Sequence, residues 1–310
     1  MAKIGTELDV SRLCLGGNVF GWTADRETSF AVLDAYAAAG GNFIDTADSY
    51  FWRKPGNTGG DSERIIGDWM ASRGNRDAMI VATKVGSWPE RKGLSKANIV
   101  AACDDSLRRL RTDRIDLYYA HKDDPEVAQE ETLDAFEGLV EAGKVRAIGA
   151  SNLTADRLRS ALEISARDGL ASFVALQPHY NLMEREEFET SLAPLLASED
   201  IACIPYYGLA KGFLTGKYRE GVEVESERAE GAGVYLNDRG LRVLAVLDEI
   251  AAGHEVPVAA VALAWLADQP TVAAPIASAR TPEQLTELLP VLDLRLTDDE
   301  LRLLAHVSSA

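Results

Sequence analysis

What most constrains this chain is an alternation that runs almost from end to end, in which short apolar stretches are followed by longer amphipathic ones. The apolar stretches are "RLCLG" (12–16), "NFID" (42–45), "MIVATK" (79–84), "IDLYYAH" (115–121), "VRAIGAS" (145–151), "FVALQ" (173–177), "IACIPY" (201–206) and "VAAPIAS" (272–278). Strand-length runs that are apolar on both faces belong to a parallel sheet covered by helices, not to a half-solvated antiparallel one. Between them the spacing predicts helices over 27–39, 62–72, 95–110, 131–142, 155–168, 186–198 and 257–267, with another starting near Pro282. In the third of these Ser95 suits an N-cap, and Ile99, Cys103, Leu107 and Leu110 recur along one face.

About eight βα units in 310 residues is the count for an α/β chain closed into a (β/α)8 TIM barrel. No Pro/Gly/Ser-rich linker divides the series, so residues 1–310 are expected to form a single barrel domain. The main irregularity is 207–256, too long for a plain βα loop, with "GLAKGFLTGKY", the acidic stretch "EVESERAE" (expected to be solvated and mobile) and an extra helix over 240–252. The C-terminal "LTDDELRLLAHV" reads as a second additional helix, capped by Thr297. An open doubly wound sheet fares worse, because no GxGxxG follows the first strand and no GxxxxGK[ST] occurs.

A hydrophobic share of 46% can supply a large buried core. The formal net charge of -17 opposes binding to nucleic acid or to an anionic membrane, and an anionic ligand would need a local cationic pocket to overcome that field. Cys14, Cys103 and Cys203 are far apart and form no CxxC, which indicates neither a disulfide framework nor a metal site and suits a reducing compartment. The N-terminus lacks the apolar core of a signal peptide, and no apolar run approaches membrane-spanning length. A cytoplasmic protein is expected.

Barrel enzymes build their sites at the C-terminal ends of the strands. The residues that end the apolar runs here are Asn18, then Asp45 and Tyr50, Lys84, His121, Ser151 with Asn152, Gln177, Tyr206, and Ser278 with Arg280. A tyrosine is a poor acid at neutral pH, but an ammonium about 4 Å away would stabilise its phenolate by roughly 4 kcal/mol, on the order of 3 pKa units. Asp45 would hold Lys84 protonated while cancelling part of that gain, and His121 would act as a neutral donor to a carbonyl oxygen. Each residue also has an ordinary structural role open to it: Asp45 in a turn, Tyr50 and Tyr206 as rim aromatics, His121 as a loop histidine. Lys84 is the exception, since an inward lysine in a buried sheet demands a partner.

The segments "GNFIDTADSY", "VATKVG" and "IDLYYAHKDD" resemble the catalytic segments of the aldo-keto reductase superfamily, and "GGDSERIIG", "SLRRLRTDRIDL", "LVEAGKVRAIGASN", "GLAKGFLTGKY" and "PIASARTPEQL" extend the likeness through nearly the whole chain. The resemblance implies reduction of a carbonyl compound with NADP(H), Tyr50 being the general acid, Lys84 and Asp45 tuning it, and His121 orienting the substrate. It further implies that Asn18 and Asp45 contact the cofactor, that Ser151, Asn152 and Gln177 hydrogen-bond the nicotinamide carboxamide and that Tyr206 stacks on the ring. Leu209 to Gly212 would cradle the pyrophosphate, with Lys211 and Lys217 assisting. Ser278, Arg280 and Gln284 would take the adenosine end, Arg280 facing a 2′-phosphate. Trp22, Trp52 and Trp88 follow the first three strands and either wall a substrate pocket or simply pack. The chain departs from the family at Tyr207 and Gly208, where many members have Ser-Pro, at Ser278 for Gly, and at Leu288 for Asn. Two other functions fit the residues: a nucleotide-binding, redox-sensing regulatory subunit with little turnover, and an aldolase-type barrel with Lys84 as Schiff-base nucleophile, which Asp45 disfavours by keeping the amine protonated.

Overall fold

A computed structural model describes residues 1–50, 59–219, 221–224 and 229–309. Trp52 and part of "EVESERAE" therefore lie outside the described residues. Among the described residues, every expected apolar run contributes a strand to one eight-stranded parallel sheet. The strands are β1 (Cys14–Gly16), β2 (Phe43–Asp45), β3 (Ile80–Val85), β4 (Ile115–Ala120), β5 (Val145–Ser151), β6 (Phe173–Gln177), β7 (Ala202–Cys203) and β8 (Ile276–Ala277). The sheet runs β7-β6-β5-β4-β3-β2-β1-β8, and its two ends meet. Cys203 N donates to Thr271 O (2.7 Å), Ala273 N to Cys203 O (2.9 Å) and Ile276 N to Pro205 O (2.9 Å), which curls the sheet into the expected (β/α)8 barrel. Strands seven and eight are shorter than their apolar runs because Pro205 and Pro275 have no amide to give to a ladder.

The helices follow their capping signals. Arg26–Ala38 (α1), Asp61–Arg73 (α2), Lys96–Leu110 (α3), Gln129–Glu141 (α4) and Ala155–Asp168 (α5) alternate with the strands. Ser95 accepts from Asn98 N as the N-cap of α3. Gly59 and Gly60, both with positive φ, make the turn into α2, and a side chain at position 60 would run into Arg109. The helix expected over 186–198 is interrupted: Phe188–Leu192 winds as a π-helix before Ala193–Ser198 (α6). Pro194 lacks the N–H that a regular turn needs, and the wider winding accommodates its ring. Ala229–Gly233 (α7), Asp238–His254 (α8), Val258–Ala267 (α9), Pro282–Leu288 (α10) and Asp298–Val307 (α11) complete the order. α8 and α11 are the two additional helices, the latter held by a Thr297/Glu300 capping box.

Two apolar layers result. The barrel interior packs Cys14, Phe43, Ala82, Leu117, Tyr119, Ala175 and Ile204, and the larger layer lies between barrel and helices. An N-terminal hairpin, Ala2–Ile4 paired with Leu8–Val10, was not expected; its Ile4, Leu8 and Val10 join the interior layer and plug it. All three cysteines are buried. Among the described residues, no single helix is long and apolar enough to cross a membrane.

Candidate active site

β2 ends on Asp45 and β3 carries Lys84, two side chains that are essentially inaccessible to solvent. In-register pairing of the two strands, with Asp45 opposite Ala82, sets the carboxylate within reach of the longer lysine from the neighbouring strand. Lys84 Nζ donates to Asp45 Oδ2 at 2.6 Å, to Thr46 O at 2.7 Å and to the Tyr50 hydroxyl at 2.8 Å. The Tyr50 hydroxyl in turn donates to Asp45 Oδ2 at 3.2 Å. Gln177, from the end of β6, donates through Nε2 to Asp45 Oδ1 at 2.9 Å. One carboxylate thus gathers an ammonium, a phenol and an amide from three chain segments.

Above this cluster opens a cleft of about 860 Å³, lined by Asn18, Trp22, Asp45, Tyr50, His121, Ser151, Asn152, Gln177, Tyr206, Leu209, Lys211, Gly212, Lys217, Ser278, Arg280 and Gln284 among others. Nearly every residue singled out from the strand ends meets there, and Lys84 lies buried beneath it. Trp88 does not line the cleft; it sits in a short hairpin, Ser87–Trp88 with Arg91–Lys92, under the Arg91 guanidinium. Trp22 is the tryptophan of the described residues that borders the opening.

Several contacts differ from a simple reading of the residue types. The Tyr50 phenol is pushed up, not down: burial is the largest cause, and the adjoining Asp45 carboxylate adds to it. The expected lowering by Lys84 is outweighed by burial, with Asp45 lying against the same hydroxyl and opposing the ammonium. Tyr50 therefore rests as a protonated phenol. Burial, with the Lys84 and Lys122 ammoniums helping, holds the His121 imidazole well below its usual range, so it is neutral, and its buried Nδ1 has no hydrogen-bond partner among the described residues. The Tyr50 and His121 rings meet edge-on with centroids 6.2 Å apart.

The loops beyond β5, β7 and β8 are held by their own network. Asn152, with a left-handed backbone (φ 56°), donates to His121 O (3.0 Å) and to Ser151 Oγ (2.9 Å), and Ser151 donates to Gln177 O (2.9 Å). Tyr206 donates to Asn152 Oδ1 (2.9 Å) and stacks on His179, centroids 5.3 Å apart and nearly parallel. His179 carries no sequence signal of its own beyond lying two residues past Gln177; it serves as a backstop that fixes the Tyr206 ring. Tyr207, Ala210, Lys211 and Gly212 all have positive φ, and a left-handed bulky residue such as Tyr207 costs about 1–2 kcal/mol. Asn181 Nδ2 secures the Tyr207 carbonyl at 2.9 Å. Across the barrel Ser278 donates to Asn18 Oδ1 at 2.6 Å, and Gln284 Oε1 accepts from Arg280 N at 3.0 Å. Lys122, Thr215, Gly216 and Glu287 also line the cleft and were missed. Glu287 was detectable, since Gln284, Glu287 and Leu288 share one face of α10 at helical spacing.

The charges of the cleft are not those of the molecule. Asp45 and Lys84 neutralise each other, whereas Lys122, Lys211, Lys217 and Arg280 have no carboxylate within ion-pair distance among the described residues. A buried ammonium and carboxylate bracketing a phenol can transfer a proton, and a cationic far end can hold an anion.

This is the layout of an oxidoreductase barrel. The chain matches the aldo/keto reductase family over residues 12–308 and belongs to it. It is 35% identical to norsolorinic acid reductase stcV of Emericella nidulans, over 94% of this chain and 76% of that one. Protein tas of Escherichia coli is 33% identical over 96% and 93%. A probable voltage-gated potassium channel subunit beta of Oryza sativa is 33% identical over 93% and 89%. The family generally uses a nicotinamide cofactor and acts on small carbonyl compounds.

Proposed function

We propose that the protein, as one barrel domain, reduces an aldehyde or ketone to an alcohol with NADPH, and that Tyr50 supplies the proton. The observation that carries this reading is the three-way grip on Lys84 Nζ by Asp45 Oδ2, Thr46 O and the Tyr50 hydroxyl at the base of the cleft. The residues fit the cofactor. The cleft has the size of a small-molecule site, its far end carries Lys211, Lys217 and Arg280, which no carboxylate pairs with among the described residues, and the left-handed run through Lys211 and Gly212 forms a backbone cradle. Ser151, Asn152 and Gln177 would hold the carboxamide, Tyr206 the ring face, Leu209 to Gly212 and Lys217 the pyrophosphate, and Ser278, Arg280 and Gln284 the adenosine phosphate. When bound, the reduced nicotinamide supplies a hydride.

The chain's own part is proton management. Neutral His121 orients the carbonyl oxygen by donating a hydrogen bond. Tyr50, kept protonated by burial, gives its proton to that oxygen as negative charge develops there, since an alkoxide is far more basic than a phenolate. Lys84 then faces a phenolate that its ammonium stabilises, and Asp45 holds Lys84 at the distance that stabilisation needs.

Tyr50→Phe should bind NADPH, measured by fluorescence titration, yet lose about 10³-fold in turnover. Full activity in that variant excludes Tyr50 as the acid. Arg280→Ala should weaken NADPH far more than NADH, and equal effects on both would remove the 2′-phosphate assignment. The similarity to the rice channel subunit supports a second reading, a nucleotide-binding regulatory subunit. Tight NADPH binding with no turnover of any aldehyde would select it.

A further inference from the structure

The catalytic end of the cleft holds one charge that the proposed reaction does not use. Lys122 follows His121 directly, lines the same cleft and is exposed. Its two acidic neighbours are engaged elsewhere. Asp123 is gripped by Arg157, whose Nε and Nη2 each donate at 2.8 Å. Asp124 accepts from Leu94 N at 2.8 Å and from Glu126 N at 3.1 Å. Among the described residues, neither these nor any other carboxylate pairs with Lys122, and the ammonium lies close enough to His121 to help keep that imidazole neutral. With Asp45 and Lys84 paired and His121 neutral, Lys122 sets the sign of the charge where a substrate carbonyl would sit. In a molecule of net charge -17, a cation without a carboxylate partner among the described residues is a local reversal of the field, and Lys122 brings it to the catalytic end, away from the phosphate-facing Lys211, Lys217 and Arg280. Trp22 and Tyr207 line the same opening and offer flat apolar surface.

Resting on the reductase reading above, we infer that Lys122 is a specificity-determining residue and that the substrate is an aromatic or otherwise flat carbonyl compound bearing a carboxylate. The ammonium meets the carboxylate while the carbonyl reaches Tyr50 and His121. Because the lysine is exposed, the contact is worth only what an exposed ion pair is worth, a selectivity of about fivefold, and salt should erode it.

The test compares 4-carboxybenzaldehyde with 4-methylbenzaldehyde, similar in size and different in charge, by steady-state kinetics and by calorimetric titration, in wild type, Lys122→Met and Lys122→Glu. Lys3→Met, a substitution of an exposed lysine at the opposite end of the barrel, is the control. Wild type should favour the carboxylate compound in both measurements, Lys122→Met should lower the ratio of kcat/KM values about fivefold, and Lys122→Glu should lower it further. Lys3→Met should leave the ratio where it was. Turnover of both aldehydes with a ratio that none of the Lys122 variants changes would overturn the inference while the reductase reading stands. Retention of the carboxylate preference in calorimetry without turnover of either aldehyde would instead sink the reductase reading and leave the anion site in place.

Discussion

Two aspartates at opposite ends of the same barrel are equally inaccessible and are paired with opposite charges, yet they do different work. Asp116, near the start of β4, accepts from Arg76 Nη2 at 2.7 Å, from Arg146 Nη1 at 3.1 Å and from Val81 N at 2.9 Å. Asp45, at the end of β2, accepts from Lys84 at 2.6 Å, Gln177 at 2.9 Å and Tyr50 at 3.2 Å. Guanidinium and backbone amide donors keep their protons at any ordinary pH, so Asp116 is a permanent clamp on the floor of the barrel. A phenol can give its proton away, and an amide side chain can turn to a new partner. Burial and pairing are the same at the two ends; the donors decide which end is structure and which is chemistry.

Four measurements would break or sharpen this contrast, in descending order of effect. Lys84→Met should lower turnover about 10³-fold, because the phenolate loses its ammonium; a variant that still turns over well would make Lys84 no more than a second clamp. Asp116→Asn should cost about 2 kcal/mol in denaturant unfolding, since it takes the charge from a buried acceptor of three hydrogen bonds, with turnover per folded molecule retained. Loss of turnover on the Lys84 scale would erase the distinction between the two ends. The third concerns Asp48, a buried carboxyl which burial and the nearby Glu63 push up to about 7. The folded protein holds that proton more tightly than the unfolded chain does. The stability this contributes is complete below the ordinary carboxylate range and is lost as the pH rises through about 7. Asp48→Asn should therefore gain about 2 kcal/mol relative to wild type between pH 5 and pH 8; a pH-independent difference would refute the assignment. The smallest effect concerns His121. Its imidazole is already neutral, so kcat/KM for an uncharged aldehyde should be flat across the range where an ordinary histidine titrates, and a step centred there would show that the ring is charged at rest.

Most of this architecture was legible in the residues. Strands buried on both faces leave unbroken apolar runs, and each of those runs became a barrel strand, ending at a residue of the cleft or, at Lys84, just beneath it. What was hidden depends on distance. The N-terminal hairpin shows only Ile4, Leu8 and Val10, too few alternations to separate it from a loop until the barrel floor beneath it is known. The break in 186–198 turns on Pro194, which the helical periodicity alone passes over. The direction of the Tyr50 shift was misjudged because residue types give the charges of Asp45 and Lys84 but not how much water is excluded, nor that both charges touch the same hydroxyl. His179 fits no constellation in the sequence and reads as structural; its use as a backstop for Tyr206 is a matter of orientation, which residue types do not carry.

The seam where β7 meets β8 is bonded through irregular backbone at Cys203, Pro205, Ala273 and Ile276, and the chain that leaves both strands, 206–217 and 276–288, forms opposite banks of the cleft. A long molecule lying in that cleft would bridge the two banks like a stitch across a join. Its arrival should slow exchange of the Cys203, Ala273 and Ile276 amide protons with deuterated solvent more than that of amides in the β3–β4 ladder, so that a ligand which reacts at one end also mends the barrel at its weakest line.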